Sequence, residues 1–177
     1  MSENIIEVNG LNYSYGSFKA VDNVSFFVRK GEIFSFLGPN GAGKSTVINI
    51  LTTLLPVQKG KITIAGHDLA TNPQEVRKSI GIVFQDETLD RDLTVWETLE
   101  LHGRIYSMPK KERMLRIDEI IHLVELEEKR DVRTRFLSGG MKRRLEIGRG
   151  LLTRPKVLFL DEPTSGLSST DSEMVML

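Results

Sequence analysis

Between an apolar run, Ile33–Leu37 (IFSFL), and a segment with helical apolar spacing, Val47–Leu55 (VINILTTLL), lies Gly38-Pro39-Asn40-Gly41-Ala42-Gly43-Lys44-Ser45-Thr46. The stretch from Gly38 to Ser45 satisfies G-x-x-x-x-G-K-[ST], and no other feature constrains the fold as strongly. A buried strand must deliver the chain into a loop whose glycines let successive backbone N–H groups face an anion. A helix must then begin at once, so that its N-terminal dipole points at the same place. In that arrangement Lys44 supplies a point charge to the β- and γ-phosphates of a nucleotide, and the Ser45 hydroxyl is a ligand for Mg²⁺.

The flanking segments extend the pattern. Ile5–Val8, Val24–Val28, Lys61–Ala65 and Ile80–Phe84 read as short strands, with a turn at Lys30-Gly31. From Thr94 to Glu128 the character changes to long, charged and helical, with Ile117, Ile120, Ile121 and Val124 on one face. Pro109 separates two helices and is placed to open the second. A third helix is expected from about Ser138, and Val157–Leu160 (VLFL) returns to buried strand. Strands on either side of a helical block predict an α/β core with an inserted helical subdomain.

Composition narrows the class. The 177 residues are 40% hydrophobic, enough for one packed domain. Equal numbers of basic and acidic residues, 24 of each, argue against a partner bound by bulk phosphate neutralisation, so no nucleic acid is expected. There is no cysteine, which fits a reducing cytoplasm. The N-terminus lacks a signal-peptide pattern, and no apolar run reaches the ~18 residues of a membrane span. Work at a membrane would require docking on a partner.

Asp161-Glu162 follows the Val157–Leu160 run directly. A carboxylate pair at a strand exit most simply opens a loop. Coupled to a phosphate loop on a parallel strand, it reads differently: Asp161 holds the hydration shell of Mg²⁺, and Glu162 orients or deprotonates an attacking water. The whole helical block separates Lys44 from Asp161, which disfavours a small GTPase.

Leu137-Ser138-Gly139-Gly140-Met141 opens the third helix. Alone, it is a Ser N-cap and a glycine turn. With the two sites above, it resembles the signature motif of the ABC ATPase family, and Gly38–Thr46 and Asp161-Glu162 resemble that family's Walker A and Walker B. The string FLSGGMKRRLEIGRGLLTRPKVLFLDEPTSGL resembles the subgroup that powers drug exporters of the daunorubicin-resistance type.

The resemblance implies a P-loop NTPase with a RecA-like core, an N-terminal antiparallel β layer and an inserted helical subdomain. The chain, 1–177, is expected to be one ATP-binding domain: 1–85 and 156–177 form the core and β layer, and 86–155 the helical part. ATP and Mg²⁺ are the implied cofactors. Tyr15 matches the aromatic that stacks on adenine, although it or Tyr13 could simply pack on the β layer. Gln85, after the Ile80–Phe84 strand, matches the glutamine that senses Mg²⁺ and couples to the membrane subunit. Mg²⁺ would be met by Ser45, Gln85 and Asp161, with Lys44, Gln85 and Glu162 as the catalytic set. Ser138, Gly139 and Gly140 would complete the nucleotide site of a second such subunit. The implied partners are that subunit and transmembrane permeases, at the cytoplasmic face of a membrane. A soluble non-transport ABC ATPase and a binding-only module remain open alternatives.

His67, His102 and His122 are scattered without ligand spacing and read as solvated or partly packed. Trp96, with Leu93, Val95 and Leu99, reads as core or docking surface. Lys142-Arg143-Arg144 reads as the exposed face of the signature helix. Two departures from the family stand out. Ser168 occupies the position of the usual D-loop Asp, and the sequence ends at Leu177, before the strand that carries the family's switch histidine. The fold is therefore expected to be incomplete at its C-terminus and hydrolysis slow. The phosphate-loop strand is expected to lie apart from 157–160, with unpaired backbone groups costing ~1–3 kcal/mol each where buried.

Overall fold

The computed structural model describes residues 3–39, 41–84 and 87–160. The chain divides into two compact units, Met1–Gln85 with Lys156–Leu177, and Asp86–Pro155. In the first unit, strands β1 (Asn4–Tyr15), β2 (Phe18–Arg29), β3 (Lys59–Ile64) and β4 (His67–Asp68) form an antiparallel sheet in the order β2-β1-β3-β4. Buried positions of β1 run Ile6, Val8, Leu11, Tyr13, so the two-residue phase slips once. The slip falls at a register shift between Val8 and Leu11, where Gly10 takes φ 60°. An extra residue at a bulge reverses which face the following side chains address, and Gly10 lets both halves of the strand bury their apolar set.

That buried face meets helix α1 (Lys44–Leu51), whose Val47, Ile48, Ile50 and Leu51 join the same core. Helix α2 (Pro73–Ser79) leads into β5 (Ile80–Val83), which pairs in parallel with β6 (Val157–Leu160) from Ile80 opposite Val157 to Val83 opposite Leu160. Phe159 on β6 is fully buried in this core; truncating such a side chain to Ala costs ~3–5 kcal/mol.

Residues 33–37 depart from the expected buried strand. The segment carries a single bridge residue, Phe36, and among the described residues the ladder of β6 runs to β5. Ile33 and Leu37 are 63% and 72% exposed, while Phe34 and Phe36 pack on Phe26 with ring centroids 5.2 Å away in each case. Side-chain packing on β2 helps to hold the segment that leads into the phosphate loop.

Helix α1 also ends earlier than its apolar spacing predicts. Thr53 adopts φ 65°, Thr53 N donates to the Ile50 carbonyl at 3.0 Å, and Leu54 N donates to that of Asn49 at 2.8 Å. This paired pattern is a Schellman cap with Thr where Gly is usual.

The second unit packs α3 (Val95–Ile105), α4 (Lys110–Leu123) and α5 (Gly139–Leu151) around Val95, Leu99, Ile117, Ile120, Ile121, Leu145 and Leu152. Thr94 caps α3 in a reciprocal box with Glu97: the Glu97 N–H donates to Thr94 Oγ1 at 3.1 Å, and the Thr94 N–H donates to Glu97 Oε2 at 2.8 Å. Pro109 is the N-cap of α4, at the opening position expected of it. Trp96 packs partly buried against this core beside the fully buried Val95 and Leu99. Among the described residues, no helix is long and apolar enough to cross a membrane.

Candidate functional site

The loop between residues 33–37 and α1 closes on itself. Ala42 N donates to the Pro39 carbonyl at 3.1 Å, and Gly43 caps α1 in the left-handed region with φ 86°. A Cβ at Gly43 would collide with the carbonyl oxygen of Ala20 on β2, so the residue's lack of a side chain is what lets the loop lie against the sheet. No side chain caps α1 and no acidic residue occupies its first turn, which leaves the end of the helix electropositive. Lys44, 8% exposed, turns its ammonium back to the carbonyls of Gly38 at 2.6 Å and Pro39 at 3.1 Å. The charge is thereby held over the loop that surrounds it.

Beside the loop opens a cavity of about 360 Å³, lined by Gly41–Thr46 on one side and by Tyr15, Phe18 and Ala20 on the other. The two tyrosines separate clearly. Tyr13 is 6% exposed and packs into the sheet core, while Tyr15 is 49% exposed and edges onto Tyr13 at 5.1 Å and 69°. Phe18, opposite Tyr15 across the hairpin, is a lining residue that sequence reasoning missed. Its signal was an unpaired aromatic beside the Gly16 turn. The hairpin thus presents two aromatic faces to a phosphate-sized, electropositive loop, the layout of a nucleotide pocket with an apolar base end and a charged phosphate end.

Asn40, Gln85, Asp161 and Glu162 lie outside the described residues, as does Ser168. Among the described residues there is no cluster of three or more His, Cys, Asp or Glu. The donor set nevertheless fits Mg²⁺, which keeps several waters and takes one or two protein ligands beside substrate phosphates; Ser45, on the cavity wall, is of that kind.

In the second unit, Ser138 caps α5 by accepting from Met141 N at 3.3 Å. Gly139 and Gly140 are exposed, have no positive φ, and a Cβ on either would meet nothing within 4 Å. The fold itself therefore gives no reason for glycine here, and each glycine in a helix costs ~1 kcal/mol against Ala.

The basic run on α5 requires a correction: it is not an exposed face. Lys142, 14% exposed at its side chain, pairs with Glu87 at 2.9 Å. Arg143 pairs with Glu146 at 3.3 Å, and Arg144 with Glu125 at 2.8 Å. Apolar residues of α5 face the core while these long side chains fold along the unit and find carboxylates. His102 is partly packed, its ring 4.7 Å from that of Tyr106; burial, with the nearby Arg149 charge, lowers its pKa to about 4.

The glycine loop running straight into α1, the flanking antiparallel β layer and the parallel β5–β6 pair together define an α/β domain of the P-loop NTPase class. The ABC transporter family profile matches residues 21–165, and the chain belongs to that family. It is 40% identical to the daunorubicin resistance ATP-binding protein DrrA3 of Streptomyces coeruleorubidus, over 94% of this chain and 53% of that protein. It is 42% identical to the Nod factor export ATP-binding protein I of a Rhizobium strain, over 94% of this chain and 55% of that protein. The chain thus spans about half the length of these curated relatives. CbiO1 of Clostridium perfringens, part of the ABC transporter complex CbiONQ, superposes with a TM-score of 0.84 at 32% identity, over 94% of this chain and 68% of that one.

Proposed function

We propose that this chain is the ATP-binding part of an ABC exporter, binding MgATP in the cavity between the Tyr15–Phe18 hairpin and Gly38–Thr46. The observation that carries the proposal is the joint lining of that cavity by two aromatics and by the N-terminus of α1 with its buried lysine. Tyr15 offers a face for adenine; the backbone of 41–46 and Lys44 take the phosphates. Mg²⁺, when bound, supplies charge neutralisation at the β- and γ-oxygens, and Ser45 with Asp161 and Gln85 would hold it. Glu162 accepts the proton of the attacking water.

Export, rather than import, is supported by the names of the curated relatives, a daunorubicin resistance protein and a Nod factor export protein. Permease subunits at the cytoplasmic face of a membrane are the corresponding partners. The unexplained glycines of α5 support a further part of the reading: a second ATP-binding subunit brings its nucleotide against Ser138–Gly140, where side chains would obstruct it.

Association driven by ATP tests this reading. Glu162→Gln, which removes the proton acceptor, should dimerise on adding MgATP, and Lys44→Ala in the same background should not. A folded Glu162→Gln protein that binds MgATP yet stays monomeric in light scattering at high concentration would contradict it.

A further inference from the structure

Glu146 is a carboxylate where the packing gives no reason for one. Its side chain is 5% exposed, on a helix whose neighbouring Leu145 is core. Burying a carboxylate costs several kcal/mol, and apolar residues of similar volume often stabilise as well or better. Its Oε1 accepts from the backbone N–H of Thr88 at 3.0 Å. One helical turn further along α5, Arg149 donates through Nη1 to the Thr88 carbonyl at 3.2 Å and through Nη2 to the Thr88 hydroxyl. The N–H, the carbonyl and the hydroxyl of one loop residue are therefore all taken by charged side chains of a single helix.

The clasp extends in both directions. Lys142 holds Glu87 through both carboxylate oxygens, at 2.9 and 3.0 Å, and Thr134 Oγ1 donates to the Asp90 carbonyl at 2.6 Å. Lys142, Glu146 and Arg149 recur at four- and three-residue spacing, so they form one stripe along α5. Surface loops ordinarily leave such backbone groups to water; charge-assisted bonds to them are the stronger and more directional kind. The same helix carries Ser138–Gly140 at its N-terminus, about 12 Å from Glu146 at 1.5 Å per residue.

We propose that Glu146 is a positioning residue: with Arg149 it locks segment 87–90, which follows Gln85 closely in sequence, to the helix that bears the Ser138–Gly140 turn. Displacement of one then displaces the other, so the turn is presented to a second subunit only in register with the 87–90 segment. This rests on the functional reading above, for which Ser138–Gly140 meets a partner's nucleotide.

The test compares Glu146→Ala with Glu146→Gln, whose amide oxygen still accepts from Thr88 N–H, each alone and in the Glu162→Gln background. In the nucleotide-free monomer, Glu146→Ala should raise amide exchange at least about tenfold both at 87–90 and at 138–141, with 117–121 unchanged, and Glu146→Gln should restore it. MgATP affinity of the monomer should stay within about twofold while ATP-driven association weakens at least about tenfold, again rescued by Gln. Unchanged exchange at 138–141 in a folded Glu146→Ala protein overturns the proposal, as does unchanged association. Association absent even without a Glu146 substitution contradicts the functional reading instead, and exchange then decides the clasp alone.

Discussion

The Cα of Gly43 faces the carbonyl oxygen of Ala20 so closely that no side chain fits between them. The contact ties the phosphate loop to the β layer that carries Tyr15, so the two ends of the cavity are positioned by one residue. Gly43→Ala adds a clash with backbone to a left-handed φ that itself costs ~1–2 kcal/mol in an L-residue. MgATP affinity should fall at least about tenfold in calorimetry, with secondary structure by circular dichroism retained. Wild-type affinity in the folded variant would show that the loop does not need this approach.

The two hairpin tyrosines should separate by role. Tyr15→Ala removes a half-exposed ring from the cavity wall and should weaken ATP binding by ~1–3 kcal/mol, the range for bases stacked on aromatic side chains, with little change in Tm. Tyr13→Ala should lower Tm by several degrees through lost core packing, with ATP affinity following only the folded fraction. The reverse assignment of losses would place the base elsewhere.

For Gly139 and Gly140, stability and association should move in opposite directions. A Cβ at either position meets open space, and Ala is the better helix former by ~1 kcal/mol. Gly139→Ala-Gly140→Ala should therefore raise or hold Tm while abolishing ATP-driven association of the Glu162→Gln protein. Association at wild-type strength would remove the reason given for glycine in that turn.

His102 makes stability depend on mildly acidic pH. Burial lowers its pKa from 6.5 to about 4, so between these values the unfolded chain binds a proton that the folded chain does not. Stability is then highest above about pH 6.5 and declines as pH falls towards 4, by on the order of 2–3 kcal/mol in total. The carboxylates whose pKa is lowered from 4.5, such as Glu100 and Glu119, lose their contribution below that value, outside most of this window. Urea unfolding of His102→Gln should show a flatter profile between pH 5 and 6.5 than the parent; parallel profiles would mean that His102 is charged in the folded state.

The phosphate loop, the Ser138 cap and the α4 core face were legible because each is a local rule: glycine spacing, a capping residue, a helical period. The end of α1 was not. Thr53 performs the left-handed cap that Gly would have announced, as do Ser107 after α3 and Glu125 after α4, both with positive φ. The exposure of Ile33 and Leu37 was hidden too, because an apolar run does not reveal what covers its faces. Lys142 looked like solvated charge because its partner, Glu87, lies far away in sequence. Phe18 lay outside every segment read from the sequence, its place in the cavity being a matter of hairpin register.

Equilibrium binding of MgATP to folded Lys44→Ala, beside the unsubstituted protein, tests the central claim most directly. The Lys44 ammonium lies over the loop carbonyls of Gly38 and Pro39, and in the proposed complex it would meet phosphate in a charge-assisted contact. Such a contact contributes ~1.5–3 kcal/mol, so affinity should fall at least about tenfold, and matched circular dichroism would show that the fold persists. Equal affinity in the two proteins would contradict nucleotide binding on this loop.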